Sequence, residues 1–319
     1  MKILVTGGAG FIGKHLVNNL LKNGKKVSIL DNFSNSDRKS TLLLKNKGVK
    51  IFEGDITNFD DVLKATKDQD VVIHLAAKIS VSESIKNPLE TFRINVEGTK
   101  NILANCKKNN IRKLIVASSA AIYDDVNKEI KITENGIINP ISPYGESKIK
   151  MEKEIKKKCS ENEISYVILR FFNIYGIGQT SEYAGVITKF LEKIKKNQSL
   201  IINGDGTQIR DFVSINDVVC SINKSIEYNK NGIFNIASGN GVTINQLSKL
   251  MILVSGKKLD IQNVSTKQGE IKCSQANILL AKEKLGYIPE VNLKEGIEKL
   301  LINVNIKEKF EDSLIHEDL

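Results

Sequence analysis

Tyr144 and Lys148 stand four residues apart in SPYGESK, and the run ASS ends on Ser119, 25 residues upstream. A phenol has an ordinary pKa of about 10 and is a poor base at neutral pH, but a neighbouring ammonium favours its ionised form. On a helix, a spacing of four stacks the two side chains on one face. Ser119 could then hold a substrate hydroxyl while Tyr144 takes its proton. With seven tyrosines and 42 lysines (47 basic residues less five arginines) in 319 residues, about one such pair arises by chance, so its surroundings must give it meaning.

A second group of residues supplies that context. In TGGAGFIG, Gly7, Gly10 and Gly13 fall between an apolar run, Lys2 to Val5, and a helical pattern from Phe11 to Leu21. A glycine turn leaves the helix amino terminus open, and its N–H groups and dipole favour a pyrophosphate. Asp31 follows 18 residues after Gly13, at the end of the next strand-like run. A carboxylate there accepts hydrogen bonds from an adenosine ribose and repels a 2′-phosphate, which favours NAD over NADP. A lone glycine motif is weak evidence. Here strand, turn, helix, second strand and acid occur in order.

The elements that must position these residues alternate along the first half of the chain. KILV, KVSIL (26–30), KIFEG (50–54), DVVIHLA (70–76), KLIVASS (113–119) and SYVILRF (165–171) are short apolar runs, as strands buried on both faces should be. Helix-length segments separate them, among them 89–108 and 145–158. This predicts an α/β fold with a doubly wound parallel Rossmann sheet. After about residue 175 the rhythm weakens, with loops at NGDGTQ (203–208), ASGNG (237–241) and YIPEV (287–291). We expect an NAD-binding domain over 1–175 and a smaller substrate-binding lobe over 176–319, with segments near 211–237 returning to the first.

Composition sets the class. Hydrophobic residues make up 41% of the chain, enough for a full core, yet no apolar run approaches the roughly 18 residues of a membrane span. Met1-Lys2 leads into a strand without a signal-peptide pattern, so a cytoplasmic protein with no membrane partner is expected. Cys106, Cys159, Cys220 and Cys273 show no metal-ligand spacing and there are three histidines, which predicts reduced thiols and no metal. The net charge of +10 rests on lysine, with Arg38, Arg93, Arg112, Arg170 and Arg210 the only arginines. Phosphate and base readout favours arginine forks, and runs such as EKEIKKKC read as solvated helix faces, so no nucleic-acid partner is expected.

Together TGGAGFIG, DNFSNS, GDITN, HLAAKISVSES, INVEGTKNIL, ASSAAIY, SPYGESK, LRFFNIYG, GDGTQIRDFV and GYIP resemble the extended short-chain dehydrogenase/reductases. Among these they are most similar to the NAD-dependent nucleotide-sugar 4-epimerases of the UDP-glucose 4-epimerase type. The resemblance spans nearly the whole chain. It implies that Gly7, Gly10, Phe11 and Ile12 meet the pyrophosphate and that Asp31, Asn32, Asn35 and Ser36 surround the adenosine ribose. Asp55 and Ile56 would contact adenine, while Leu75, Ala76, Ala77 and Asn95 would line the cofactor path. Ser119, Tyr144 and Lys148 would be the catalytic set. Asn173 and Arg210 would hold the sugar-nucleotide diphosphate, with Lys267, Glu270 and Ser274 completing the substrate side.

The implied activity inverts C4 of a UDP-sugar through a transient 4-keto intermediate, with NAD bound throughout. Matching helices in similar proteins pair across a two-fold axis, which implies a homodimer. Uronate epimerases, reductases and dehydratases share the pattern. Dehydratases look for acidic groups beside the catalytic hydroxyl, where this chain has Ala120 and Ala121. A non-catalytic NAD-sensing regulator typically loses the tyrosine or lysine kept here. The chain departs from the pattern at Asp124, at Ile177-Gly178 and at Lys267, all on the substrate side.

Overall fold

Apolar side chains that alternate between two faces, as in Ile3-Leu4-Val5, make the first strands of the fold. These are β1 (Lys2–Thr6), β2 (Lys26–Asp31), β3 (Lys50–Glu53), β4 (Val71–His74), β5 (Lys113–Ser119) and β6 (Ser165–Phe171). The computed structural model describes residues 1–36, 38–126, 130–179, 185–266 and 271–303. Three strands follow outside the main sheet: β7 (Asn173–Tyr175), β8 (Leu200–Asn203) and β9 (Ile209–Ser214). β10 (Gly232–Ile236) then returns to pair with β6, giving a parallel sheet of order β10-β6-β5-β4-β1-β2-β3.

Both faces of the sheet are covered. Ile3, Val5 and Ile115 pack with helices Phe11–Lys22 and Ile215–Glu227, while Leu4, Leu114 and Val116 pack with Phe59–Thr66, Gly98–Lys108 and Pro143–Glu161. The strand order reverses between β1 and β4, and at such a switch point the carboxyl ends leave a crevice for a ligand. Gly7, Asp31, Leu75 and Ser119 all lie at or just beyond those carboxyl ends.

The helix expected over 89–108 is broken. It runs as α-helix over Pro88–Phe92, widens to a π-turn over Arg93–Glu97, and resumes over Gly98–Lys108. The cause is Asn95, a buried polar residue on an inward face. Its amide donates to Lys78 O at 3.0 Å and Ser147 Oγ at 2.9 Å, and its carbonyl accepts Lys78 N at 2.7 Å. A π-turn supplies the extra residue that turns this side chain toward the adjacent helix.

The remaining strands, β11 (Gly241–Thr243), β12 (Ile261–Val264) and β13 (Cys273–Ser274), build smaller sheets. β9 is central. Its first half lies between antiparallel β11 and parallel β13, and its second half pairs with β7. β8 and β12 form a separate pair, and Phe190, Leu200, Ile202, Leu247 and Met251 fill the core of this region. No helix among the described residues is long and apolar enough to cross a membrane.

Candidate active site

Gly7 follows β1 with φ +67°, and a Cβ there would lie 2.8 Å from Ala76 N. The loop after β4 therefore crosses directly over the turn. A Cβ on Gly13 would meet Gly7 O at 2.3 Å, so this position too admits only glycine. Helix Phe11–Lys22 begins at Gly10 with no side-chain cap and no acid in its first turn, whereas Ser142 and Ser214 cap helices Pro143–Glu161 and Ile215–Glu227. An uncapped, acid-free first turn suits an anionic ligand. Phe11 and Ile12, in that turn, are partly buried against the core.

Asp31 is buried at the end of β2. Its Oδ2 accepts Ala9 N at 2.9 Å, and its Oδ1 accepts Phe33 N at 2.9 Å and Ser36 Oγ at 3.1 Å. Oδ2 keeps one lone pair for a further donor such as a ribose hydroxyl. Asn32, exposed, donates to Asp55 Oδ2 at 2.9 Å, while Asp55 Oδ1 accepts both Thr57 N and Thr57 Oγ1 at 2.8 Å. Burial alone would raise the Asp55 carboxyl, and these donors bring it below its ordinary value. Asn35 is exposed beside Ser36. The Ile56 side chain packs into the core with Leu4 and Leu30.

Ser142 Oγ accepts Gly145 N at 3.2 Å and so starts helix Pro143–Glu161. Tyr144 is therefore in the first turn, buried, with its phenol facing the Ser119 hydroxyl at the end of β5. Burial raises the phenol above its ordinary pKa and the nearby Ser119 hydroxyl works against that rise. Lys148 sits one turn on, with Nζ 5.8 Å from the Tyr144 ring centroid and donating to Ala117 O at 2.8 Å. Burial lowers the Lys148 ammonium to about 8, opposed by Glu152 one turn further. The expected catalytic trio is brought together.

Two buried networks support this trio that the sequence reading did not single out. Ala76 N donates to Thr6 Oγ1 at 3.3 Å, Thr6 Oγ1 meets His74 Nδ1 at 2.7 Å, and His74 Nε2 meets Thr99 Oγ1 at 3.1 Å, which itself donates to Asn95 O at 2.6 Å. Since Thr99 gives its proton to Asn95, His74 must carry its own on Nε2 and accept from Thr6 on Nδ1. Burial, reinforced by Lys148, lowers His74 to about 3, so it stays neutral. The second network joins Arg170 to Glu152 through bonds of 3.0 and 2.7 Å, with Ser118 Oγ on Glu152 at 2.6 Å and the Tyr123 hydroxyl on Arg170 at 2.8 Å. A glutamate four residues beyond Lys148 was the available signal.

On the substrate side, Asn173 Nδ2 donates to Asp211 O at 3.1 Å, next to Arg210 on β9, and Ser274 on β13 is the register partner of Arg210. Arg210, partly buried, donates to Ile209 O at 2.8 Å. Asp211 anchors the group: its carboxylate accepts Ser238 N and Oγ, Gly239 N and Ala276 N at 2.7–3.2 Å. Burial raises this carboxyl to about 6 against the pull of those donors. Lys267 and Glu270 lie outside the described residues.

Residues 3–237 match the model of the NAD dependent epimerase/dehydratase family. A Methanocaldococcus jannaschii protein carrying a provisional UDP-glucose 4-epimerase name is 41% identical over 302 residues, 94% of this chain and 97% of that protein. The UDP-glucose 4-epimerase of Thermotoga maritima, solved with UDP-glucose, superposes with a TM-score of 0.89 at 34% identity, covering 98% of this chain and 100% of that one. The UDP-N-acetylglucosamine 4-epimerase of Methanobrevibacter ruminantium, solved with UDP-N-acetylmuramic acid, also gives 0.89 at 34% identity, covering 94% and 96%.

Proposed function

The chain belongs to the NAD dependent epimerase/dehydratase family, and from that premise we propose that it is an NAD-dependent isomerase that inverts C4 of a UDP-sugar. The observation that carries this reading is the convergence of the buried Tyr144 phenol and the Ser119 hydroxyl at the end of β5, with Lys148 one turn away. Gly7, Gly10, Phe11, Ile12 and Gly13 would hold the NAD pyrophosphate. Asp31, Asn32, Asn35 and Ser36 would hold the adenosine ribose, and Asp55 and Ile56 the adenine. Leu75, Ala76 and Ala77 would wall the path inward, with Asn95 fixing that wall through Lys78. When bound there, NAD would supply reversible hydride transfer at the sugar C4. Tyr144 takes the 4-hydroxyl proton and later returns one, Ser119 orients that hydroxyl, and Lys148 favours the phenolate. Ala120 and Ala121 offer no acid for elimination, which sets a dehydratase aside.

Asn173 and Arg210 are proposed to bind the diphosphate, for which a guanidinium fork suits. Ser274, 8% exposed and paired with Arg210, is proposed to border the sugar C2 substituent. A serine leaves the room of an aromatic ring there, so the N-acetylglucosamine/N-acetylgalactosamine pair should turn over at least as readily as glucose/galactose. Ser274→Tyr is expected to lower kcat/KM for the acetylated pair by about tenfold or more and to leave the other within about threefold. Equal slowing of both pairs, or of neither, would remove Ser274 from this role.

A homodimer in the cytoplasm completes the proposal. Leu89 is 84% exposed, and with Phe92, Val96, Lys150 and Lys153 it lines a groove of about 600 Å³ between the helices starting at Pro88 and Pro143. Glu97, Lys100, Lys153 and Glu154 also line it, so a second copy turned by 180° would bring charges of both signs against charges of both signs. Light scattering at micromolar concentration should give twice the chain's 35.4 kDa, and a monomer mass would exclude the pairing.

A further inference from the structure

Asp125 lies six residues beyond Ser119, in the stretch IYDD. Its carboxylate leaves its own segment. Both oxygens accept Lys272 N at 3.0 Å, and Oδ1 also accepts Cys273 N at 2.9 Å. These are the amides at the entry of β13. Lys272 O is already bonded to Ile209 N on β9 at 2.8 Å, so the carboxylate engages amide groups that β9 does not.

Asp125 itself is firmly placed. Ser119 Oγ accepts Ala121 N at 3.1 Å, and two residues before Asp125 the buried Tyr123 hydroxyl donates to Asn235 Oδ1 at 2.7 Å and accepts from Arg170 at 2.8 Å. Further along the same segment Ile132 N donates to Gln275 O at 2.8 Å and Ile132 O accepts Asn277 N at 2.8 Å. The short strand bearing Ser274 is thus gripped at each end by the segment that continues from β5.

We propose that Asp125 is a positioning residue for the sugar nucleotide, holding β13 and its Ser274–Arg210 pairing at a fixed distance from the Ser119 strand end. β13 is only two residues long, so contacts outside its ladder set its position, and a shift of about 1 Å in a binding wall can cost up to a hundredfold. Asp125 is exposed, and losing its carboxylate leaves no buried charge behind.

The role rests on the epimerase reading, and its test separates the two. In Asp125→Ala the KM for UDP-glucose should rise about tenfold with kcat within about threefold of wild type. Bound NAD and melting temperature should be unchanged, and the backbone amides of 271–277 should exchange faster with deuterium. Asp125→Asn keeps one acceptor oxygen and should recover KM to within about threefold of wild type. An unchanged KM and unchanged exchange in Asp125→Ala would overturn the role, as would a joint fall of kcat, bound NAD and melting temperature in both variants. A wild type that binds UDP-glucose without converting it would defeat the epimerase reading instead, and the deuterium exchange of 271–277 would still report on the clamp.

Discussion

Replacing Tyr144 by phenylalanine is expected to lower turnover by about a thousandfold or more while UDP-glucose affinity stays within about threefold. The phenol is buried against Ser119 at the end of β5, where it is placed to take and return a proton. Its ring is held independently of its hydroxyl, buried in the first turn of helix Pro143–Glu161, so phenylalanine fits the same space. The substitution therefore removes chemistry and leaves the binding walls. Steady-state kinetics with calorimetric titration of UDP-glucose separates the two. Turnover within tenfold of wild type would take the proton transfer away from Tyr144.

The largest effect on stability is expected at Arg170. It and Glu152 are 3% and 4% exposed, and the pair is bidentate, with Ser118 and Tyr123 satisfying further atoms. Burial works against the guanidinium charge, and the Glu152 carboxylate more than offsets it, so the charge persists. Arg170→Met would leave a buried, unpaired carboxylate, at a cost of about 3–5 kcal/mol. In a chain of this size that lowers the melting temperature by about 10 °C. The double variant Glu152→Met with Arg170→Met removes both charges and should melt above Arg170→Met alone. Arg170→Lys should recover little, because an ammonium cannot make the two parallel bonds. Melting of Arg170→Met within 2 °C of wild type would contradict this account of the core.

The sequence was most legible where structure is local. KLIVASS and SYVILRF are β5 and β6 to the residue, because continuous apolar, β-branched runs have few alternatives once buried on both faces. The glycine turn and the Tyr144–Lys148 pair were legible for the same reason: each is a single strand-turn-helix or helical turn. The helix through 93–97 was misjudged since its apolar spacing continues unbroken, and only the tertiary partners of Asn95 force the wider turn. Asn173, Arg210 and Ser274 could be placed only by resemblance. They are gathered by β9, which pairs with both β7 and β13 and joins residues as much as 64 positions apart. Glu152 with Arg170 and Asp125 with Cys273 are likewise contacts of the folded chain, 18 and 148 residues apart.

The most direct test is to incubate the purified protein, supplied with NAD, with UDP-glucose and separately with UDP-N-acetylglucosamine, and to resolve the products by chromatography and mass. The account predicts that each substrate yields its 4-epimer at unchanged mass, from either direction to the same final ratio, with no accumulation of reduced cofactor. A product lighter by one water, stoichiometric reduced cofactor, or tight binding of both sugars without conversion would contradict it.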